Sequence, residues 1–176
     1  MKYFKKLIGE RVYLSPINTD DLETYTKWLN DYDVSRNLTL YPQLISLTNE
    51  KKALEQMTSE GQNFAIVLAE NDTLLGNISL MEISSINRTA TLGLFIGEAD
   101  CRGKGYGAEA IQLIINYGFK TLNLHNIMLN VNADNAQGIA CYKKVGFREF
   151  GRRREAVFMD GKYFDNIYME ILSGDV

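Results

Sequence analysis

Two cysteines, one histidine and no long apolar run are the scarcities that first narrow this 176-residue chain. Cys101 and Cys141 stand far apart without metal-type spacing, so neither a disulfide framework nor a zinc site follows from them, and a reducing, cytoplasmic setting is expected. Neither thiol has a neighbouring histidine pattern that would make it a nucleophile. His125, the only histidine, lies in "LNLHNI" at a predicted helix-to-strand turn, which suits capping or surface exposure rather than catalysis. No segment approaches the ~18 apolar residues of a membrane span. The start, "MKYFKKLIGERVYL", offers only Leu7 and Ile8 before Gly9, Glu10 and Arg11 interrupt, short of a signal peptide core. Charge of one sign is lacking too: 19 Lys and Arg face 22 Asp and Glu, a net −3, so nothing global attracts nucleic acid or an anionic membrane. A mildly acidic surface suits cationic small molecules. No repeat, linker or low-complexity tract divides the chain, and 45% hydrophobic residues fill one core, so one domain over residues 1–176 is expected.

What is present reads as alternating strands and helices. "RVYLSPI" alternates like a strand, and "NTDDLETYTKWLN" sets Leu22, Tyr25, Trp28 and Leu29 at helical spacing behind capping residues. Asp31 to Leu47, with Pro42 inside it, is irregular; "TNEKKALEQMTSEG" is a helix capped by Thr48 and stopped near Gly61. "FAIVLAE" and "LLGNISLMEI", joined at Asn71 and Asp72, form a hairpin, and "TATLGLFIG" adds an extended run. "AEAIQLIINYGFKTL" puts Ala108, Ile111, Ile115, Phe119 and Leu122 on one helical face, widened by Ala110, Ile114 and Tyr117. "NIMLNVN" is a strand, and "NAQGIACYKKVGF" a short helix capped by Asn135 and ended by Gly146. "REFGRRREAVFM" and "KYFDNIYMEIL" flank Asp160-Gly161, a strong hairpin signal.

The stretch "CRGKGYGAEA" lies between a strand ending near Gly97 and a helix beginning near Gly107, the usual arrangement for binding phosphate with converging amides at a positive helix end. Lys104 is followed by Gly105 rather than Ser or Thr, which excludes a Walker A loop. Gly103, Gly105 and Ala108 satisfy the loose dinucleotide pattern, but the upstream strands read as antiparallel and no βαβ units follow. A glycine motif alone would do no more than shape a surface loop. A second constellation adds chemistry: Asn135 and Tyr142 are seven residues apart, so two turns bring an amide and a phenol to one helix face.

Together, R-G-K-G-Y-G at Arg102 to Gly107 and N-A-Q-G-I-A-C-Y-K-K-V-G-F at Asn135 to Phe147 resemble the GNAT superfamily of acetyl-CoA-dependent N-acetyltransferases. "RVYLSPINTDDLE", "NRTATLGLFIG" and the closing hairpin are similar to its RimJ/RimL-type branch and polyamine acetyltransferase relatives. The resemblance implies a mixed α/β (α+β) fold: a mostly antiparallel twisted sheet of about seven strands flanked by about four helices, splayed between the fourth and fifth strands, with acetyl-CoA in the opening. It maps the pyrophosphate loop onto Arg102, Gly103, Lys104, Gly105, Tyr106 and Gly107; Lys104 either adds charge there or is merely solvated. Asn135 is assigned to the pantetheine arm, although helix capping alone accounts for it. Leu94, Phe95 and Ile96 of the fourth strand are assigned, through their backbone, to the pantetheine and the thioester. Tyr142 is assigned as the acid that protonates the departing thiolate.

The general base departs from the pattern, because Thr91 stands where many relatives carry Glu; Glu82 is the leading candidate, with Glu98 or a water chain behind it. The expected acceptor is a small-molecule primary amine, such as a polyamine or amino sugar, or a protein N-terminus, with Trp28, Asp31, Asp33 and Tyr41 in the stretch that would choose it. Arg148 and Arg152 to Arg154 form a basic run on an edge-like hairpin and suit a solvated face. A homodimer through edge strands is compatible with the resemblance by analogy. The reading from another functional class is a catalytically weak acetyl-CoA-binding sensor or interaction module.

Overall fold

Strand alternation and helix caps set the elements of the computed structural model, which describes residues 2–38, 41 and 43–175. Thr39, Leu40 and Pro42, in the stretch read as irregular, the first two also within the acceptor region, lie outside the described residues. Strands β1 (Leu7–Ile8) and β2 (Val12–Pro16) lead through a 3-10 turn at Thr19–Asp21 into α1 (Leu22–Asn30). Asp31 then accepts a hydrogen bond from the Asp33 amide and starts the one-turn α2 (Tyr32–Ser35), a local cap the reading of this stretch as irregular overlooks. Helix α3 (Leu47–Ser59) is capped by Ser46, not Thr48: Ser46 has the extended backbone of a cap and its hydroxyl receives the Asn49 amide at 3.2 Å.

Next come β3 (Gln62–Leu68), β4 (Leu74–Ser84), β5 (Thr89–Ile96), a 3-10 turn at Ala99–Cys101, α4 (Tyr106–Lys120), β6 (Asn126–Asn132), α5 (Ala136–Val145), β7 (Arg148–Met159) and β8 (Lys162–Leu172). Asp160 and Gly161 both have positive φ, 51° and 75°, and turn β7 tightly into β8. On that hairpin Arg152 pairs with Glu149 of its own strand and with Asp165 across on β8, a solvated arrangement.

The sheet has eight strands in the order β1-β2-β3-β4-β5-β6-β8-β7. Only the central β5–β6 pair is parallel, and it is short: Thr89, Ala90 and Thr91 face Asn126, Ile127 and Met128, after which Leu92–Ile96 run free of β6. This is the expected splay, moved to the fifth and sixth strands because the two-residue β1 raises the strand number to eight; among the described residues the α-helices number five rather than about four.

Alternate residues of each strand feed two apolar layers. Val12, Leu14, Phe64, Ile66, Ile78 and Leu80 pack with Ile111, Ile114 and Ile115 of α4 on one face. Tyr13, Ala65 and Val67 pack with Tyr25 and Trp28 of α1 and Leu54 of α3 on the other. The fully buried stripe of α4 is Ala110, Ile111, Ile114, Ile115 and Gly118; Ala108, expected among them, instead borders the opening between β5 and β6.

Candidate active site

Where β5 leaves β6 the chain encloses an open cleft of about 740 Å³ whose walls come from both faces of the sheet. One end is built by the glycine loop and α5, the other by α1, α2 and α3. Its volume lies within the ~300–1,000 Å³ usual for small-molecule sites.

In the glycine loop, Gly103 and Gly105 take φ of 72° and 87°, which side chains resist, and this curls the segment so that α4 starts without a side-chain cap. Among the described residues the amides of Gly103 to Ala108 donate to no protein group. Cys101, Arg102, Gly103, Gly105, Tyr106, Gly107 and Ala108 all border the cleft, so a row of free donors faces it at a positive helix end. Lys104 does not border it: its side chain is exposed, and its carbonyl accepts from Arg11 at 3.0 Å. Arg102 sends its guanidinium backwards, donating to the carbonyls of Ile96 at 3.0 Å and Gly97 at 2.8 Å, and so fixes the loop to the end of β5.

On α5, Asn135 accepts from the Gly138 amide at 2.9 Å and lies at the cleft together with Gln137, Gly138 and Tyr142. The Tyr142 ring meets Phe147 edge-on, 6.0 Å between centroids. Burial, aided by the nearby Cys141 thiol, pushes the phenol up to about 12, so it holds its proton throughout the neutral range. Burial likewise raises the Cys141 thiol, against the pull of Lys144, which keeps it un-ionised and poorly nucleophilic. Leu94, Phe95 and Ile96 line the cleft from β5.

The remaining candidates divide. Glu82 is exposed and outside the lining, but it occupies a bulge of β4 at φ 51°, where its carboxylate accepts the Thr91 hydroxyl at 2.7 Å; Thr91 does line the cleft. Asp33 lines it as well. Trp28 does not: it is 3% exposed, sits edge-on to Tyr25 and Phe95, and fills the space where a β-carbon at Gly97 would overlap its indole, so it is a packing residue. Asp31 is occupied in capping α2, and Tyr41 donates to Asp160 at 2.9 Å, as Tyr32 also does, tying the α2 region to the tip of the β7–β8 turn.

Sequence reading overlooks several polar residues of the cleft, among them Tyr25, Glu50 and Asn77. Glu50 had a visible signal: it shares the α3 stripe with Leu54 and Met57, an inward position unusual for a carboxylate. Among the described residues no group of three or more His, Cys, Asp or Glu side chains is placed to hold a metal ion, and no helix is long and apolar enough to cross a membrane.

Residues 11–148 match the family model described as acetyltransferase (GNAT) domain. The chain is 28% identical to an uncharacterized N-acetyltransferase of Bacillus licheniformis over 93% of both chains. It is 36% identical to the spermidine N(1)-acetyltransferase of Vibrio cholerae over 56% of this chain and 57% of that one. The crystal structure of the Vibrio cholerae spermidine N-acetyltransferase in complex with CoA and spermine superposes with a TM-score of 0.84 at 25% identity, covering 95% of this chain and 98% of that one. With a matching family model over most of its length, the splayed sheet, the glycine loop and Tyr142 in one cleft, this chain belongs to the acetyltransferase (GNAT) family and is an N-acetyltransferase.

Proposed function

We propose that the protein transfers acetyl from acetyl-CoA directly to a primary amine of a small cation, with polyamine-like molecules as the leading acceptor class. The observation that carries this is the meeting, in one cleft, of the free amides of Gly103 to Ala108 and the protonated hydroxyl of Tyr142. The donor set fits a diphosphate, since amides at a helix start suit anionic oxygens and no acidic side chain intrudes among them. Similarity to a protein crystallised with CoA and spermine supports both the cofactor and the acceptor class. Acetyl-CoA supplies the acetyl group as an activated thioester.

The chain's own groups then divide the work. The glycine-loop amides hold the diphosphate. Backbone groups of Leu94 to Ile96, in the part of β5 unpaired with β6, orient the pantetheine, and Asn135 keeps α5 aligned beside it. Tyr142 keeps its proton at Oη throughout the neutral range, so the phenol is in the form that can hydrogen-bond and protonate the departing sulfur. Thr91 Oγ1, already donating to Glu82, offers a short relay by which the attacking amine's proton reaches a carboxylate open to water. The two free cysteines suit a reducing cytoplasm.

The test is incubation of the purified protein with acetyl-CoA and spermidine, propylamine, glucosamine and short peptides, reading product mass and thiol release. An acetylated amine is expected. Free CoA with every amine unmodified means that the acetyl group passes to water, and contradicts the proposal.

A further inference from the structure

The acceptor end of the cleft contains a buried carboxylate that the acid and relay chemistry leaves without a task. Glu50 sits on α3 at 5% exposure, facing the cleft with Ala53 and Met57 of the same helix. Among the described residues its carboxylate makes no salt bridge, and burial among apolar neighbours pushes it up to about 7. Two other polar groups share this end, and both are sealed from water without a partner among the described residues: the Tyr25 hydroxyl on α1 and Nδ2 of Asn77 on β4. The charge of Glu50 is felt at Tyr25, whose phenol is raised by burial first and by Asp21, Tyr3 and Glu50 after it. Asn77 and Ser79 lie on the same sheet face, with Phe95 and Gly93 opposite them on β5, and all four line the cleft.

Two sealed, unpartnered polar groups beside a buried carboxylate are costly to a fold unless something else satisfies them. The occupant must neutralise one carboxylate and donate to a phenol oxygen, which describes an ammonium group; Asn77 then offers a donor to a lone pair beside it. We propose that Glu50, with Tyr25, forms a subsite on the α1–α3 side of the cleft that binds an ammonium group of the acceptor, with Asn77 donating to an uncharged acceptor atom beside it. This rests on the acetyl-transfer reading for the identity of the occupant. Glu50 is a binding residue here, separate from the Tyr142 acid and the Thr91–Glu82 relay.

Binding a cation draws the Glu50 carboxyl towards its ionised form, so amine binding near pH 7 releases a proton. Titratable groups on the elements packed against α3 are Tyr25 on α1, with Glu23 and Lys27 exposed there, and, on the preceding turn, the exposed Asp20 and Asp21, the latter already held by Tyr3 and Lys2; β3 has none, and Asp33 of α2 lines the same cleft. Stability runs the opposite way to function. The folded state keeps the Glu50 proton to higher pH than the unfolded chain, whose carboxyl titrates near 4.3, so unliganded stability falls as pH rises from there through about 7. Glu50→Gln removes that penalty.

The experiment titrates CoA-loaded protein with propylamine, spermidine and glucosamine by calorimetry at pH 7 in buffers of differing ionisation heat, alongside thermal melts. We expect at least one amine to bind wild type with proton release, roughly 10-fold or greater weakening and loss of proton release in Glu50→Gln, unchanged CoA affinity, and a higher melting temperature whose gain grows from pH 5 to pH 8. Tyr25→Phe, which deletes only the orphaned hydroxyl, should fold normally and weaken the same amine several-fold. Amine affinity unchanged in both variants, a lower melting temperature in Glu50→Gln at pH 8, or no amine bound by wild type overturns the subsite. These readouts need no turnover, so a failure to acetylate any amine contradicts the proposed function and leaves the Glu50 outcome to be read separately.

Discussion

Gly105 and Gly107 stand two residues apart in the same loop and should fail in different ways when substituted. At Gly105, φ is 87° and an added β-carbon would lie 3.2 Å from an Arg11 guanidinium nitrogen, so Gly105→Ala strains the backbone at a cost of about 1–2 kcal/mol. At Gly107 a β-carbon would meet Leu94 at 3.6 Å and Ile96 at 3.8 Å, ordinary contacts, while a valine side chain would take up space in the cleft that Gly107 borders. Gly107→Val should therefore keep its circular dichroism spectrum and lose CoA binding by calorimetry, roughly 100-fold or more; Gly105→Ala should lower the melting temperature. Tight CoA binding by folded Gly107→Val would remove this loop from the cofactor site.

Residue types announced much of this. Glycine spacing, an asparagine cap and a tyrosine two turns away are local signals, legible in any context. What remained hidden depended on partners distant in sequence. Nothing in "WLN" shows that Trp28 is committed to Gly97, and nothing in "RGKG" shows that Arg102 turns back to the strand while Lys104 faces solvent.

At the scale of elements, the start of α4 is held to the start of β2 by one carboxylate. Glu109 accepts the amides of Arg11 at 2.8 Å and Val12 at 3.2 Å and pairs with the Arg11 guanidinium at 3.0 Å. Burial alone would raise its carboxyl, but the two amides and the guanidinium outweigh burial and hold it below the usual carboxylate range. A depressed folded pKa means the pin contributes fully above the unfolded value near 4.3 and is lost as pH falls through the folded one. Glu109→Gln keeps an acceptor and removes the charge, so it should cost about 1 kcal/mol at pH 7, discounted because Arg11 is half exposed, or about 2–4 °C of melting temperature. The difference from wild type should shrink at pH 3. A difference independent of pH would show that the ion pair contributes nothing.

The same scale separates the elements readable in sequence from those that were not. Helix α5 and the Asp160-Gly161 turn carry their own start and stop chemistry, and both lie where expected. The bulge at Glu82 puts a non-glycine residue at φ 51°, a conformation imposed by cross-strand pairing that no propensity announces. Helix α2 is a single turn, too short for periodicity to register.

Across the whole molecule, β1–β5 and β6–β8 are two antiparallel blocks joined in the sheet only by the short parallel contact at Thr89–Thr91. A cofactor held, as proposed, between Leu94–Ile96 on one block and Asn135 and Tyr142 beside the other would bridge them, and binding only the folded form would stabilise it. At a ligand concentration 100 times its Kd this amounts to about 2.7 kcal/mol, or roughly 5–11 °C for a chain of this size. Saturating CoA should raise the melting temperature by that amount in wild type and leave Gly107→Val unmoved; equal shifts in both would place CoA elsewhere.

The open V was expected from family likeness, because the parallel contact that creates it is a long-range pairing absent from local pattern. The central claim is that Tyr142 supplies the proton for acetyl transfer within that V, and steady-state kinetics of Tyr142→Phe against the amine acetylated by wild type, beside its acetyl-CoA affinity, tests it most directly. A kcat lowered by about 100-fold with nearly unchanged acetyl-CoA binding is the predicted result; a folded variant with full kcat would contradict the claim and make Tyr142 a packing residue.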